Sequence, residues 1–102
     1  MFARHGYNKI VWDAHEIEVV VLNVDIFTVG AECIVNAANS SLAHGSGIAG
    51  AILDRAGLEM QRECNRIGNV PTGKAVMTSS YKLSHHTSIK WIVHAVGPHY
   101  NS

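Results

Sequence analysis

Hydrophobic positions change their period along this chain, and the changes mark its elements. Ile17-Glu18-Val19-Val20-Val21-Leu22 is β-branched and almost continuously apolar, the pattern of a central strand covered on both faces, and Tyr7–Trp12 before it reads as an edge strand. Cys33-Ile34-Val35 is a second apolar run, which stops at Asn36-Ala37-Ala38-Asn39-Ser40-Ser41, a small and polar stretch typical of a loop. From Ile48 the spacing turns helical. Ile48, Ala51 and Ile52 fall on one face, and Gly57 is a terminator after Ala56. A second helix starts at Leu58, with Met60, Cys64 and Ile67 at i, i+4 and i+7, Gly68 as its stop and Pro71 beyond. Thr72-Gly73 leads into Lys74–Ser79, and Trp91–Val96 is a further apolar strand closed by Gly97-Pro98. Strands interleaved with helices predict an α/β sheet. Lys82–Ser88 is the one linker-like stretch, too short to divide the chain, so residues 1–102 form a single domain.

Composition narrows the partners. Eight basic side chains cancel eight acidic ones, so there is no broad positive field of the kind that phosphate-backbone binding requires, and duplex nucleic acid is not an expected partner. Apolar residues at 47% give a globular composition, yet no apolar run reaches the length of a membrane span. Met1–Gly6 lacks the features of a secretory signal, which points to the cytoplasm or nucleus. Cys33 and Cys64 could pair, but neither has metal-type or redox-type spacing, and buried free thiols are the expectation.

The chemistry concentrates between Val35 and Gly50. A strand end, a small-residue turn and the glycine-rich Gly45-Ser46-Gly47-Ile48-Ala49-Gly50 feed a helix. Such a segment lets backbone approach a ligand closely and presents free amides and a positive dipole end to an anion without any lysine. The six residues also satisfy the G-x-G-x-x-G spacing of dinucleotide-binding folds. In those folds the first glycine follows its strand directly, whereas a loop separates Val35 from Gly45 here, and no second strand ending in an acid follows the helix.

Five ordered blocks carry a resemblance. Val24-Asp25-Ile26, Ile34–Ser40, His44–Ile52, Thr72-Gly73-Lys74-Ala75 and Ile92–Pro98 resemble the successive signatures of macro domains. His44 before the glycines and Ala49 before the last one make the chain similar to coronaviral macro domains and to those attached to certain animal ADP-ribosyltransferases. The resemblance implies a three-layer α/β/α fold with a mixed central sheet. It also implies further helices, strands and a second glycine loop after Gly97-Pro98, so the 102 residues are expected to be the N-terminal part of such a domain. An unfinished sheet edge would then invite association with another chain.

By the same resemblance, Asp25 accepts from the adenine amino group of ADP-ribose with the Ile26 amide beside it. An ionised carboxylate is acceptor-only and so favours adenine over guanine. Without the resemblance, Asp25 reads as a strand-end cap or turn residue. Asn39 faces the distal ribose, Ala37, Ala38 and Ala49 line the pocket, and Gly45, Ser46, Gly47 and Ile48 wrap the diphosphate and distal ribose. For Asn36, ligand contact and a turn cap stand as equal alternatives. Ser46 departs from the glycine of most relatives, in a place where backbone of positive φ could be needed, though serine can cap the following helix. Ala49 replaces an acid that some hydrolytic relatives use to activate water, while coronaviral relatives with alanine are regarded as hydrolases. His44 either donates to ribose or assists proton transfer, or it is a packed loop residue. His94 reads as a satisfied core residue and His85-His86 as a surface turn, none of them with metal-type spacing.

The implied functions are three. One is hydrolysis of an Asp or Glu ester linking ADP-ribose to mono-ADP-ribosylated proteins, with Asn39 and His44 as the catalytic candidates. A second is a reader that binds without turnover, and a third is an RNA or poly(A) binder, which the lack of basic surface disfavours. No cofactor and no metal is called for.

Overall fold

The computed structural model describes the backbone of Phe2–His5 and Lys9–Ala14 and, with side chains, residues 16–98. It is an α/β fold. Strands β1 (Phe2–His5), β2 (Lys9–Ala14) and β3 (Ile17–Leu22) form one antiparallel sheet in that order. Strands β4 (Cys33–Ala38), β5 (Ala75–Ser79) and β6 (Trp91–Val96) form a second sheet of order β4-β6-β5. The second sheet is mixed, with β4 parallel and β5 antiparallel to β6. Helices α1 (Gly47–Ala56) and α2 (Leu58–Ile67) join β4 to β5.

The strand roles expected near the N-terminus are exchanged. β2, read as an edge over Tyr7–Trp12, lies in the middle of its sheet, with residues 7 and 8 outside the described part. β3, read as central, is the end strand, with Ile17, Val19, Val21 and Leu22 exposed. A continuous apolar run records that a strand can be covered, not which neighbour covers it.

Alternation on the second sheet sets the core. Ile34, Ile92 and Val96 point to one face, where they meet Ile52 and Ala56 of α1 and Met60 and Cys64 of α2. Among the described residues, the opposite face carries the exposed Val35, Met77 and Trp91. Cys33 also lies exposed, against the expectation of two buried thiols, because the odd positions of β4 face away from the helices; Cys64 is buried as expected.

Both helices begin and end where their residue types dictate. Gly57, at φ +93, separates them in a conformation that L side chains rarely adopt, and its amide closes on Leu53 O. Gly68 stops α2, closing on Cys64 O. The first half of the linker-like Lys82–Ser88 instead lies in a packed 3-10 segment, Tyr81–His85, whose Leu83 is buried in the core. Among the described residues no helix is long and apolar enough to cross a membrane.

Candidate functional site: a cleft at the mouth of α1

β4 runs three residues further than its apolar run suggested, so Asn36, Ala37 and Ala38 belong to the strand rather than to a loop. Pairing of Asn36, Ala37 and Ala38 with His94, Ala95 and Val96 of β6 satisfies the backbone and outweighs the weak strand preference of these residues. The chain then turns sharply through Asn39–Ala43. The Asn39 side chain closes that turn, its Oδ1 accepting from Ala43 N at 3.0 Å and from Ser41 Oγ at 3.0 Å while Nδ2 donates to Ala43 O at 3.2 Å. Leu42 sits at φ +56, uncommon for a branched side chain, yet fully buried. Core burial and the Leu42 N to Asn39 O bond of 3.0 Å hold it there against a strain of about 1–3 kcal/mol.

Past this turn, Gly45 and Ser46 deliver the backbone to α1. Ser46 is its N-cap residue with φ −158, extended backbone that any residue adopts, so serine meets no conformational penalty there. The positive φ, +61, belongs to Gly47. The Ser46 hydroxyl makes no capping bond and the first turn carries no acid, which corrects the expectation that serine caps the helix. First-turn amides of α1 are therefore left without a side-chain partner at the positive end of the helix dipole.

These segments enclose an open cleft of about 240 Å³ lined by Ala37, Ala38, Asn39, Ala43, Gly45, Ser46 and Ala49. Six of the seven are residues singled out in the sequence. Ala43 was passed over although it lies between two of them. Gly47 and Ile48 stand at the exposed start of α1 but do not line the cleft, nor do Asp25 and Ile26. Asp25 caps the 3-10 turn Ile26–Thr28, accepting from Phe27 N at 2.9 Å through one carboxylate oxygen. Phe27 in turn lies 4.1 Å under the Arg55 guanidinium, which ties the Asp25 segment to α1. A larger hollow of about 500 Å³, between the α1–α2 turn and the 3-10 segment, is lined by Lys82, His85 and an Arg62 already paired with Glu59, and it contains none of the residues expected to bind the nucleotide.

Behind the cleft lies a buried polar network that no spacing in the sequence announces. Gln61 of α2 accepts the His44 amide through Oε1 at 3.2 Å and donates to Leu42 O through Nε2 at 2.9 Å, so two backbone groups fix which way its amide points. His44 Nδ1, 2.9 Å from that same Oε1, must then carry a proton, leaving Nε2 as an acceptor for Asn36 Nδ2 at 3.3 Å. The second proton of Asn36 Nδ2 meets His94 Nδ1 at 3.3 Å, so His94 is protonated on Nε2 and donates to Thr78 Oγ1 at 3.0 Å. Thr78 passes the chain on to Ser79 O. Asn36 is thus neither a ligand contact nor a turn cap. His44 takes the packed alternative, 6% exposed with both ring nitrogens engaged. One atom is left over, because Asn36 Oδ1 is buried without a partner.

Burial, reinforced by the neighbouring His44 and opposed by Glu63, lowers the His94 pKa from 6.5 to about 4. Burial, and then Glu63, raises the Cys64 thiol to about 11, so it stays protonated and inert at neutral pH.

Comparison with known proteins bears on this geometry. The family model described as the Macro domain matches residues 35–102. A protein of Fusobacterium nucleatum is 51% identical over 71 residues, which cover 70% of this chain and 38% of that protein. A macro domain-containing protein of Listeria monocytogenes is 44% identical over 85 residues, 79% of this chain and 46% of its own length. The chain therefore spans less than half of either relative. Among solved structures, the Oceanobacillus iheyensis macrodomain with MES bound is 31% identical at a TM-score of 0.80, with 92% of this chain and 51% of that one covered. A mutant of the same macrodomain was solved with ADPR, at 30% identity and a TM-score of 0.81, covering 92% of this chain and 52% of that one. The Trypanosoma brucei macrodomain in complex with ADP-ribose matches at a TM-score of 0.60 and 35% identity, covering 68% of this chain and 28% of its own.

Proposed function

This chain belongs to the macro domain family, and from that membership we propose that it binds ADP-ribose, with the diphosphate against the Gly45–Ala49 backbone at the mouth of α1 and the adenine toward Asp25. One observation carries the reading: the cleft is lined only by small or neutral residues and opens on uncapped first-turn amides, so its electrostatic character is that of the positive end of a helix. An anion fits such a surface without a basic side chain. Asp25 keeps one carboxylate oxygen outside its cap bond, free to accept from an adenine amino group with the Ile26 amide beside it. Relatives solved with ADPR and ADP-ribose support the choice of nucleotide.

The cleft's openness suits a nucleotide still attached to something larger, and mono-ADP-ribosylated proteins are the proposed partners. Binding fits the geometry better than turnover. Among the described residues no titratable side chain lines the cleft, Ala49 offers no base, and the His44 ring is committed to the network behind it. Hydrolysis of an ester linkage would have to draw its base from the substrate's own phosphate, with Asn39 orienting the ribose.

Calorimetry with ADP-ribose tests the proposal. The parent chain should bind, and Ala49→Phe, which fills the cleft from the first turn of α1, should abolish binding without loss of fold. Equal affinity in both proteins would place the nucleotide elsewhere. Release of label from a mono-ADP-ribosylated protein by the parent, reduced in Asn39→Ala, would move the assignment from reader to hydrolase.

A further inference from the structure

Three of the buried groups behind the cleft also carry donor atoms of the kinds that ligate metals. His44 of the β4–α1 loop, Cys64 of α2 and His94 of β6 are all buried, and one donor atom from each lies within 4.8 Å of the other two. We propose that these three side chains form a binding site for a borderline-soft divalent cation, zinc or cobalt, ligated by His44 Nε2, a ring nitrogen of His94 and the Cys64 thiolate. The inference does not rest on the nucleotide reading.

Two imidazoles and a thiolate are the donor set that such cations prefer over oxygen-rich sites. Metal-ligating histidines almost always donate their other ring N–H to a carbonyl or carboxylate, which orients the ring. His44 already has that arrangement, with Nδ1–H on Gln61 Oε1 at 2.9 Å and Gln61 itself fixed by Leu42 O and His44 N. Its Nε2 is thereby left without a proton, and its lone pair, which accepts from Asn36 Nδ2, becomes available to a metal when that contact is given up.

His94 can complete the same pattern. Its Nε2 lies 3.9 Å from Cys64 Sγ, and ligation through that atom moves the ring proton to Nδ1, which faces the Asn36 amide. A half-turn of that amide presents Oδ1 to the new Nδ1–H. That turn gives an acceptor role to Oδ1, buried without a partner among the described residues, while Nδ2 gives up both of its imidazole contacts. Thr78 Oγ1, released by His94, keeps its bond to Ser79 O.

The balance is simple. The Cys64 S–H bond breaks, its proton passes to solvent buffer, a sulfur–metal bond forms, and no electron is transferred. Bond lengths near 2.0–2.3 Å require ligand atoms roughly 3.3–3.8 Å apart, so the cluster contracts by about 1 Å on binding.

The test uses the full chain carrying Cys33→Ser, which leaves Cys64 as its only thiol, refolded with cobalt(II) alone as the probe. One equivalent should bind and produce a thiolate-to-cobalt charge-transfer band that zinc displaces. Cys64→Ser in the same background should lose the band, and Gln61→Leu, which frees the His44 ring, should weaken binding about 10–100-fold. If Cys64→Ser does not fold, imidazole nitrogen shifts in the Cys33→Ser chain decide instead: zinc should move His44 Nε2 and a nitrogen of His94. Absence of stoichiometric binding, cobalt bound without the sulfur band, or imidazole shifts unmoved by zinc would overturn the site and leave the cluster as hydrogen-bonded core.

Discussion

Acidification should unfold this domain through one side chain. His94 is fully buried, and with Nε2 already donating to Thr78 a second ring proton can enter only at Nδ1, where it meets the Asn36 Nδ2 donor. Its folded pKa of about 4 lies below the ordinary 6.5, so between those values the unfolded chain binds a proton that the folded chain refuses. The sign follows: this contribution is fully present above pH 6.5 and is lost progressively as pH falls toward 4. Each unit is worth about 1.4 kcal/mol, so the full window amounts to about 3 kcal/mol, with about 2 kcal/mol of it above pH 5, where ordinary carboxylates stay ionised. A loss of that size is a large fraction of a small domain's stability. Urea unfolding at half-unit steps from pH 7.5 to 5, with chelator present, measures it in the parent and in His94→Gln. The variant should be less stable at pH 7.5, yet its stability should be nearly flat across the window. Equal slopes in the two proteins would refute the assignment to His94.

Three other outcomes follow from the same arrangement of side chains. Asp25→Asn keeps an oxygen for the Phe27 amide but sets an NH2 against the adenine amino group, so ADP-ribose affinity should fall by about 1–3 kcal/mol in calorimetry with the thermal midpoint unchanged; undiminished affinity would detach Asp25 from the nucleotide. Gln61→Leu strands the His44 amide and Leu42 carbonyl, and a loss of about 1–3 kcal/mol should appear in denaturant midpoints. A thiol reagent at pH 7.5 should add once to the native chain, at the exposed Cys33, and a second time, at Cys64, only in urea. Two adducts on the native chain, read by mass spectrometry, would contradict the buried thiol.

How much was legible depended on the range of the interactions that decided each feature. The second helix and the end of the first were readable to the residue, and the start of the first to within one, because Gly57 and Gly68 act locally and the apolar spacing of Met60 and Cys64 fixes which face packs. Much of the cleft was readable too, because Ala37, Ala38, Asn39, Gly45, Ser46 and Ala49 lie within one short stretch whose residue types suit close backbone approach. Strand order was not. Whether Ile17–Leu22 ends a sheet or fills its middle depends on pairing partners that its own hydrophobicity does not specify. Asn36 misled for a related reason, since a polar residue after an apolar run reads as a loop unless the histidine that receives it, 58 positions away, is known.

That separation in range also assigns different work to the two asparagines of one short motif. Asn39 acts on its neighbours, bending the chain so that Gly45 and Ser46 arrive at the start of α1 with backbone turned outward. Asn36 acts at a distance, clamping the far side of the same loop to β6 through His44 and His94, while Gln61 clamps it to α2. The strained Leu42 is held between Asn39, whose carbonyl accepts its amide, and Gln61, which donates to its carbonyl. A loop lined by alanines and glycines has little side-chain packing of its own to define a shape. Its definition has to come from behind, and the buried polar groups there are directional where an apolar core would let the loop settle in several ways. Among the described residues no charged side chain lines the cleft, so any anion it holds is held by backbone geometry, and that geometry is held by Asn36, His44 and Gln61.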